Sequence, residues 1–459
     1  SSTIKETIRP RRGISEIPTF DMTSLAFITC LPPAQSRDTT TIRRLRRIST
    51  HPWSLYNSKT TPIRHTIIHM SANPSSKPPP TPDQKQSQSQ SQSQKPKTSS
   101  GFRLLEKSAA FGVLVRTAKY IWHTFWLVMM NELAPSSKST GEYVRPKSQF
   151  RYQIECASGQ NPEPKFPAQT GRYKVYVGKA CPWCHRVLIT IALLGLNDVI
   201  EVVLLEPSDS GVWKLAQPTE KEKDIKDVYR NAVPDYVGRC TAPVLVDVVR
   251  NEIVCNESAD IVRNLVRLGR APFVPGKEEA SNSNSNSNRQ GGGLWTLVVC
   301  EETEDASNWE ELIQTTVNNG VYKAGFSRNQ AAYDKAIDFL FSTLDQIERK
   351  LSTSRYILGN QVSVADIFLF PTLFRLDAVY ALIFKVTQKS ISNSEHYPNL
   401  QQWMRDMYQL PGVAETCDLQ ATLNNYFTAL FPLNPSGIVP RVQTVDLLRP
   451  HERATRFRE

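Results

Sequence analysis

The sequence has little cysteine for its length, and only one pair of cysteines is closely spaced. Eight cysteines are spread over 459 residues, and only Cys181 and Cys184 stand near enough to form a motif. A disulfide scaffold would be short and dense in cysteine, so this distribution favours a reducing compartment. No second C-x-x-C pair is present to complete four zinc ligands, so the sequence predicts no metal site.

The sequence also lacks a long apolar run that is free of charge. The best candidate, residues 109–130, contains Arg116, Lys119 and His123, and each of these is costly at the centre of a bilayer. The sequence therefore predicts no transmembrane span. It favours an amphipathic helix that docks on the folded body, with association with a membrane surface as the alternative.

Acidic residues are scarce in the first hundred residues, which hold fifteen Lys/Arg against five Asp/Glu and so carry nearly all of the net charge of +11. A nucleic-acid-binding protein more often carries its positive charge on a folded groove, so no nucleic-acid partner is predicted. The basic, Ser-rich, acid-poor composition is typical of an organelle transit peptide. It predicts delivery to a plastid (chloroplast), with a mitochondrion or the cytoplasm as alternatives. A plain disordered tail is the other interpretation.

The pattern becomes globular after this N-terminal part and divides into an α/β half and a helical half. Strand-like runs at 173–177, 199–205, 243–249 and 252–255 alternate with helical runs in the order β-α-β, then β-β-α, which is a thioredoxin-like arrangement. From Leu294 onward the apolar residues follow a helical period. The predicted segments are a leader (1–100), an extension with the amphipathic helix (101–165), a thioredoxin-like domain (166–275), a low-complexity linker (276–293), an all-α domain (294–432) and a C-terminal tail (433–459).

The C-x-x-C pair follows the first strand and opens a helix. A cysteine at that place meets the positive end of the helix dipole and free backbone N–H groups, which favour the thiolate over the thiol. Because the thiolate is the attacking species, Cys181 is predicted to be a nucleophile. Cys184 gives two alternatives, an internal disulfide with Cys181 or a structural thiol that only fills space.

Two further elements follow in the order that a thioredoxin-like fold requires. Ala242-Pro243 opens a strand, and an X–Pro bond at this place is commonly cis. Glu257-Ser258 stands between a strand and a helix, where Ser258 is predicted to be the N-cap. A helix start can bind a carboxylate and Glu257 can bind an ammonium group. A simple cap is the alternative. In the helical half, Ser363 and Asp366 are predicted to form a structural capping box.

Residues from about 115 to 453 closely resemble the glutathionyl-hydroquinone reductases, the Xi class of glutathione transferases. The resemblance rests on these stretches: MMNELAP (129–135), CPWCHR, GRCTAPVL, CNESADIVR, NNGVYKAGF (318–326), FPTLFRLDAVY (370–380), PNLQQWMRDMYQLPGVAET (398–416) and NPSGIVP (434–440). It implies an α/β thioredoxin-like N-terminal domain, an all-α glutathione-transferase C-terminal domain, and a homodimer formed through the helical half.

The resemblance also implies glutathione as co-substrate and a glutathionyl-quinol as the second partner. Cys181 would attack the sulfur of the glutathionyl-hydroquinone, and a second glutathione would release the mixed disulfide as oxidised glutathione. Tyr322 and Tyr426 correspond to the family tyrosines that contact the quinol, with half-buried packing as the alternative for each. The implied glutathione contacts are Trp213, Lys226, Ala242, Glu257 and Ser258.

Two other functions stay open at this stage. One is a general deglutathionylating or dehydroascorbate-reducing transferase, which the presence of Cys184 would suit. The other is a glutathione-binding protein that performs no chemistry and associates with a membrane through residues 109–130. Loss of turnover on substitution of Cys181 would separate an enzyme from such a scaffold.

Overall fold

The computed structural model describes residues 109–137, 139–158, 161–208, 211–270, 298–299 and 303–457. The predicted leader (1–100) and low-complexity linker (276–293) lie outside these ranges. Residues from Ala118 to the C-terminal end belong to one compact unit. The elements of its α/β half are β1 (Tyr173–Gly178), α2 (Pro182–Leu194), β2 (Glu201–Glu206), β3 (Lys214–Leu215), α3 (Ile225–Ala232), β4 (Val244–Asp247), β5 (Glu252–Cys255) and α4 (Ser258–Arg270).

These strands form one sheet in the order β3-β2-β1-β4-β5. β1 pairs with β2 in parallel, with Val175 opposite Val202, and the other neighbours in this sheet pair antiparallel. Every residue of β4 is buried, as is nearly all of β1, because both strands lie inside the sheet with helices packed on it. The prediction of a thioredoxin-like domain is confirmed. Cys181 follows the end of β1 and directly precedes α2.

The helix after β1 begins and ends as its residues dictate. Pro182 occupies the first turn of α2, where its missing N–H costs nothing. Gly195 ends the helix in the left-handed conformation at φ 61°, and its N–H donates to the carbonyls of Ile191 and Ala192. Almost all of α2 is buried, so the start of the helix, where Cys181 lies, is held firmly in place.

The second half is helical, as predicted. The elements described there are β6 (Val298–Val299), α5 (Glu304–Leu312), a π-helical turn (Ile313–Asn318), α6 (Gly320–Gly325), α7 (Gln330–Thr353), β7 (Val362–Ser363), α8 (Val364–Arg375), a second π-helical turn (Leu376–Tyr380), α9 (Ala381–Ile383), α10 (Pro398–Tyr408), α11 (Leu419–Ala429) and α12 (Arg453–Arg456). β6 and β7 form a short parallel pair. In the C-terminal segment, buried Arg453 donates to the carbonyls of Leu351, Ser354 and Arg355.

The predicted capping box holds the start of α8. The Ser363 hydroxyl accepts from the backbone N–H of Asp366, and the Asp366 carboxylate accepts from the backbone N–H of Ser363. The same carboxylate accepts from the indole Nε1 of Trp403 at 2.8 Å. Asp366 is fully buried, so this network fixes α8 in the core. The helix ends at Arg375, which lies in the candidate site.

The helix that precedes the sheet is α1 (Ala109–Leu133). From Ala118 onward it belongs to the compact unit, and there it packs on the rest of the unit toward its C-terminal end. Met130 and Leu133 are buried, and the indole of Trp126 donates to the carbonyl of Pro432 at 3.0 Å. Tyr120 and Trp122 are 73% and 53% exposed. The predicted helix is present, and its contacts with the body lie toward its C-terminal end. In the described part of the chain, no helix has the length and apolarity to span a bilayer.

Candidate functional site

Cys181 is the N-cap residue of α2 and is fully buried, with a free thiol. Its Sγ lies 4.0 Å from the carbonyl oxygen of Ala242. The Ala242–Pro243 peptide bond is cis, as the sequence predicts. The first turn of α2 and the start of β4 are thus brought together around one sulfur atom.

The surroundings of Cys181 favour its thiolate. Burial raises the pKa of Cys181. Hydrogen bonds from the Cys184 thiol and from the backbone N–H groups of Cys184 and Trp183 lower this pKa, and so does the charge of Arg375. The net pKa of Cys181 lies below the usual value for a thiol. Burial and the neighbouring Cys181 raise the pKa of Cys184 well above its usual value. Of the two thiols, that of Cys181 therefore loses its proton more readily.

Arg375, at the end of α8, reaches from the helical half to the segment that carries Cys181. Its Nη2 donates to the carbonyls of Ala180 at 3.3 Å and Lys179 at 3.4 Å, and Nη1 lies 3.0 Å from Nδ1 of His185. The side chain is almost completely buried. A buried guanidinium stays charged and only donates, so it both holds these carbonyls and stabilises the nearby thiolate.

His185 is a neutral imidazole between Arg375 and the loop before α11. Burial, together with the Arg375 charge, lowers the pKa of His185 well below its usual value. Because Arg375 donates to Nδ1, the proton of the neutral ring lies on Nε2, which donates to the Thr416 hydroxyl at 3.0 Å. Cys417 Sγ is 3.5 Å from the same Nε2. His185 therefore links the two halves and is not placed to act as a base.

A charge cluster lies at the start of α4. Burial raises the pKa of Glu257, but the charges of Arg145 and Arg186 and a hydrogen bond from Ser148 lower it, and the net pKa lies below its usual value. Arg186 donates to the Ser258 hydroxyl at 3.3 Å, and burial lowers the pKa of Arg186 to about 9. The site therefore presents a carboxylate and a hydroxyl beside two cations.

The prediction that Ser258 is the N-cap of this helix is wrong by one residue. α4 begins at Ser258, and the carbonyl of Glu257 accepts from the N–H of Ile261 at 2.9 Å. Glu257 is thus the residue at the cap, and its carboxylate accepts from the N–H of Ala259 at 3.5 Å. The hydroxyl of Ser258 is left to meet Arg186 and the Glu257 carboxylate.

Trp183 joins the charge cluster to the aromatic part of the site. The guanidinium of Arg145 lies 3.8 Å from the centre of the indole, and that of Arg186 lies 4.7 Å from it. The indole is also stacked on Tyr322 at a centroid distance of 5.9 Å. The residue between Cys181 and Cys184 in the motif therefore separates a polar region from an aromatic one.

Three buried tyrosines meet at their hydroxyl groups. The hydroxyl of Tyr322 is 2.7 Å from that of Tyr426 and 3.4 Å from that of Tyr380, and the last two are 3.0 Å apart. Burial raises the pKa of all three phenols. The family resemblance implied that Tyr322 and Tyr426 contact the same ligand. Tyr380 completes the group, which is called the phenol triad below.

Of the predicted glutathione contacts, Trp213 is buried and Lys226 is exposed. Trp213 is fully buried, and its indole Nε1 has no hydrogen-bond partner. Its ring packs closely against Gly178, because a Cβ added to Gly178 would lie 2.6 Å from the ring. An unpaired buried N–H costs stability and can serve a ligand. Lys226 is exposed in the first turn of α3, and no contact brings its side chain to the sulfur.

Sequence reasoning missed Arg375, Tyr380 and Arg145. Arg375 and Tyr380 stand five residues apart in the stretch 370–380, whose family resemblance was the one available signal. Nothing in the sequence marks Arg145, because its position over Trp183 depends on tertiary packing. Among the described residues, no group of three or more His, Cys, Asp or Glu side chains could hold a metal ion.

Comparison with known proteins places this site in a family. Residues 180–268 match the glutathione S-transferase N-terminal domain, and residues 330–406 match the C-terminal domain. The chain is 35% identical to the glutathionyl-hydroquinone reductase YqjG of Escherichia coli over 73% of this chain and 98% of that protein. It is 32% identical to the glutathionyl-hydroquinone reductase PcpF of Sphingobium chlorophenolicum, over 70% and 93%.

Solved structures agree with this assignment. The glutathione-bound structure of YqjG from Escherichia coli has a TM-score of 0.56 at 35% identity and covers 67% of this chain and 97% of that one. The Xi glutathione transferase ECM4 of Saccharomyces cerevisiae in complex with glutathione has a TM-score of 0.57 at 27% identity, over 67% and 99%.

Proposed function

This chain belongs to the glutathionyl-hydroquinone reductase family of the glutathione S-transferases and uses glutathione as its co-substrate. We propose that its residues reduce a glutathionyl-hydroquinone in the following way. The Cys181 thiolate attacks the sulfur of a glutathionyl-hydroquinone. A sulfur–sulfur bond forms, the carbon–sulfur bond breaks, and its electron pair leaves with the ring carbon, which takes up a proton. The products are the free hydroquinone and a Cys181–glutathione mixed disulfide.

A second glutathione completes the cycle. Its thiolate attacks the glutathione sulfur of the mixed disulfide, so oxidised glutathione leaves and Cys181 returns as a thiolate. Two electrons pass in total from the two glutathione sulfurs to the quinol carbon. No step needs another reductant.

The observation that carries this proposal is the thiolate environment of Cys181. The sulfur caps a helix, is fully buried, and receives hydrogen bonds from a thiol and two backbone N–H groups. Such an arrangement resembles an oxyanion site, because donors are fixed in advance around the charge. These donors stabilise the thiolate without a base beside it.

Glutathione is proposed to bind along the first turn of α2 and the start of α4. Glu257 would accept from the ammonium of the γ-glutamyl group, and Ser258 and the N–H groups at the start of α4 would bind its carboxylate. The backbone of Ala242 would pair with the cysteinyl residue, and the unpaired Nε1 of Trp213 would donate to the peptide. Lys226 is proposed to bind a carboxylate as a single charge, without the fork of an arginine.

The quinol is proposed to bind at the phenol triad. Trp183 stacks on Tyr322 and connects the triad to the region of the sulfur. A phenol can hydrogen-bond a quinol oxygen, and Tyr322 or Tyr426 could supply the proton that the departing ring carbon needs. Because the raised pKa values keep all three phenols protonated at neutral pH, each can act as a donor.

The decisive experiment is turnover of glutathionyl-menadiol by the wild-type protein and by Cys181→Ser. The wild type should release menadiol and oxidised glutathione in equal amounts, and the variant should release neither. Intact mass after one turnover without free glutathione should show one glutathione on the wild type and none on the variant. Turnover that survives in Cys181→Ser would refute the nucleophile. A folded protein that binds glutathione yet shows no turnover would favour a scaffold.

A second candidate, a general thiol transferase or dehydroascorbate reductase, is favoured by Cys184. Its thiol donates to Cys181, as in a pair that could close into a disulfide. A panel with glutathionyl-menadiol, dehydroascorbate and hydroxyethyl disulfide separates the two functions. Faster kcat/KM with either of the last two would support the transferase.

We also propose that two copies of the chain associate through the helical half and that the protein acts in a plastid. The first proposal rests on family resemblance, and light scattering of the purified protein should give the mass of two chains. The second rests on the composition of residues 1–100, and mass spectrometry of the mature N-terminus from isolated plastids would test it. A monomer, or a full-length chain in the cytoplasm, would contradict them.

A further inference from the structure

The middle of α1 holds large apolar side chains in solvent. Ile121 and Phe125 are 62% and 45% exposed, and Val128 is 54% exposed. Tyr120 and Trp122 stand beside them and are 73% and 53% exposed. A soluble protein tolerates scattered apolar side chains, but five large ones within three turns of one helix form a patch that indicates an interaction site.

The apolar residues of this patch form a stripe on one side of the helix. Ile121, Phe125 and Val128 are spaced i, i+4, i+7, which puts them on one face. Met130 and Trp126, which pack on the body, fall on the other side at about 100° per residue. The stripe therefore points away from the folded body and is free to meet a surface.

The charge of the helix indicates which surface. Arg116 and Lys119 are exposed, and no Asp or Glu precedes Glu132 in α1. Helices that lie in a membrane interface typically have Ile and Phe on one face, Trp and Tyr beside them, and cations on the polar side. This is the composition of α1. Two copies of this helix would bring like charges together, and the five side chains of the patch bury less than the ~800 Å² per partner of a stable interface.

We propose that α1 docks this enzyme on an anionic lipid surface. Ile121, Phe125 and Val128 enter the boundary between headgroups and acyl chains, while Lys119 stays at the level of the lipid phosphates. The helix lies in the plane of the surface and does not cross it. Docking of this kind keeps the catalytic body in water beside a phase in which apolar quinones dissolve. The inference does not depend on the reaction proposed above.

The test is sedimentation of the full chain with vesicles. Wild-type protein should pellet with vesicles of phosphatidylglycerol and phosphatidylcholine at low salt, much less at high salt, and not with pure phosphatidylcholine. Ile121→Ser with Phe125→Ser should weaken binding to the anionic vesicles by about tenfold or more, because apolar area is no longer buried. Lys119→Glu should weaken binding by about fivefold or more. Turnover of glutathionyl-menadiol in solution should be unchanged in both.

A matched control removes equal apolar surface elsewhere. Val249→Ser with Phe339→Ser changes side chains that are 69% and 56% exposed, and it should leave vesicle binding unchanged. Three results would overturn the proposal. The wild-type protein could fail to bind anionic vesicles, or the helix variants could bind them as well as the wild type does. The helix variants could also change only the molecular mass of the protein measured by light scattering. The last result would assign the stripe to a second copy of the chain.

Discussion

The hydroxyl of Tyr322 lies 2.7 Å from the hydroxyl of Tyr426, although 104 residues separate them in the chain. Both rings are buried, and Tyr380 brings a third hydroxyl to the same point. Buried polar groups must find partners, and here they find one another. The quinol that we propose binds here has hydroxyl groups of its own, which could exchange hydrogen bonds with those of the triad.

The first prediction concerns this triad. Tyr322→Phe should lower kcat for glutathionyl-menadiol by about a hundredfold if its hydroxyl donates the proton. Tyr426→Phe should also lower turnover, and the double variant should cost less than the sum of the two because the hydroxyls share one hydrogen-bond network. Steady-state kinetics of the three variants measures this. Tyr152→Phe changes a half-exposed phenol and serves as control. Loss of stability without loss of kcat would assign the triad to packing.

Arg375 gives the second prediction. Since its charge lowers the pKa of Cys181, Arg375→Met should raise that pKa and slow alkylation of Cys181 at neutral pH by about fivefold or more. Arg375→Lys should recover part of the rate, because the charge stays and the fork is lost. The measurement is the pH dependence of iodoacetamide alkylation.

The control for Arg375 is Arg453→Lys, another buried arginine, which donates to the backbone carbonyls of Leu351 and Ser354. It should alter thermal stability and leave the alkylation profile in place. An Arg375→Met protein that melts earlier yet alkylates with the wild-type profile would show that Arg375 only holds the structure.

The third prediction separates two roles of Cys184. If its thiol serves as a donor to the Cys181 thiolate, Cys184→Ser should keep most of the turnover and Cys184→Ala should lose about fivefold, because only serine retains a donor. Alkylation of Cys181 at neutral pH should follow the same order. Equal, large losses in both variants with an unchanged alkylation rate would point to a disulfide between the two cysteines as an obligatory intermediate.

The fourth prediction concerns glutathione binding at Glu257. Glu257→Gln removes the charge that we propose binds the glutathione ammonium, so KM for glutathione should rise by about tenfold with a smaller change in kcat. The isosteric change keeps the hydrogen bond from Ser148. Glu252→Gln, at a surface carboxylate paired with Lys165, is the matched control. An effect on kcat alone would argue against a binding role.

The fifth prediction is a pH dependence of stability that arises at His185. Its folded pKa lies well below its usual value, so on acidification the unfolded chain takes up a proton near pH 6.5 while the folded chain does not. The free energy of unfolding should therefore fall below that pH, by up to about 1.4 kcal/mol per pH unit from this group. His185→Gln should flatten the slope measured by urea unfolding between pH 7 and 5. An unchanged slope in His185→Gln would contradict this assignment.

Local sequence features predicted the parts of the site that depend on neighbours in the chain. Cys181 before a helix, the cis bond at Ala242–Pro243 and the capping box of Ser363 and Asp366 all follow from short-range chemistry. The one-residue error at Ser258 arose because Glu257 can also cap a helix, and residue preference alone does not decide between adjacent caps.

The missed residues act through tertiary contacts. Arg375 touches Ala180 across 195 residues of chain, and Tyr380 meets Tyr322 across 58. No period or motif encodes such a meeting. In α1 the stripe of Ile121 and Phe125 also has helical spacing, yet it faces water. Periodicity identifies a face without telling what covers it.

The placement of Arg375 has a consequence for how such proteins can change over time. The nucleophile belongs to one half of the molecule, whereas the guanidinium that tunes it and the phenols beyond it belong to the other. A thioredoxin-like half expressed by itself would retain its sulfur but lose much of its reactivity. Grafting a relative's helical half onto it would replace the guanidinium that lowers the pKa of the thiol together with the three phenols, so neither could be exchanged without the other.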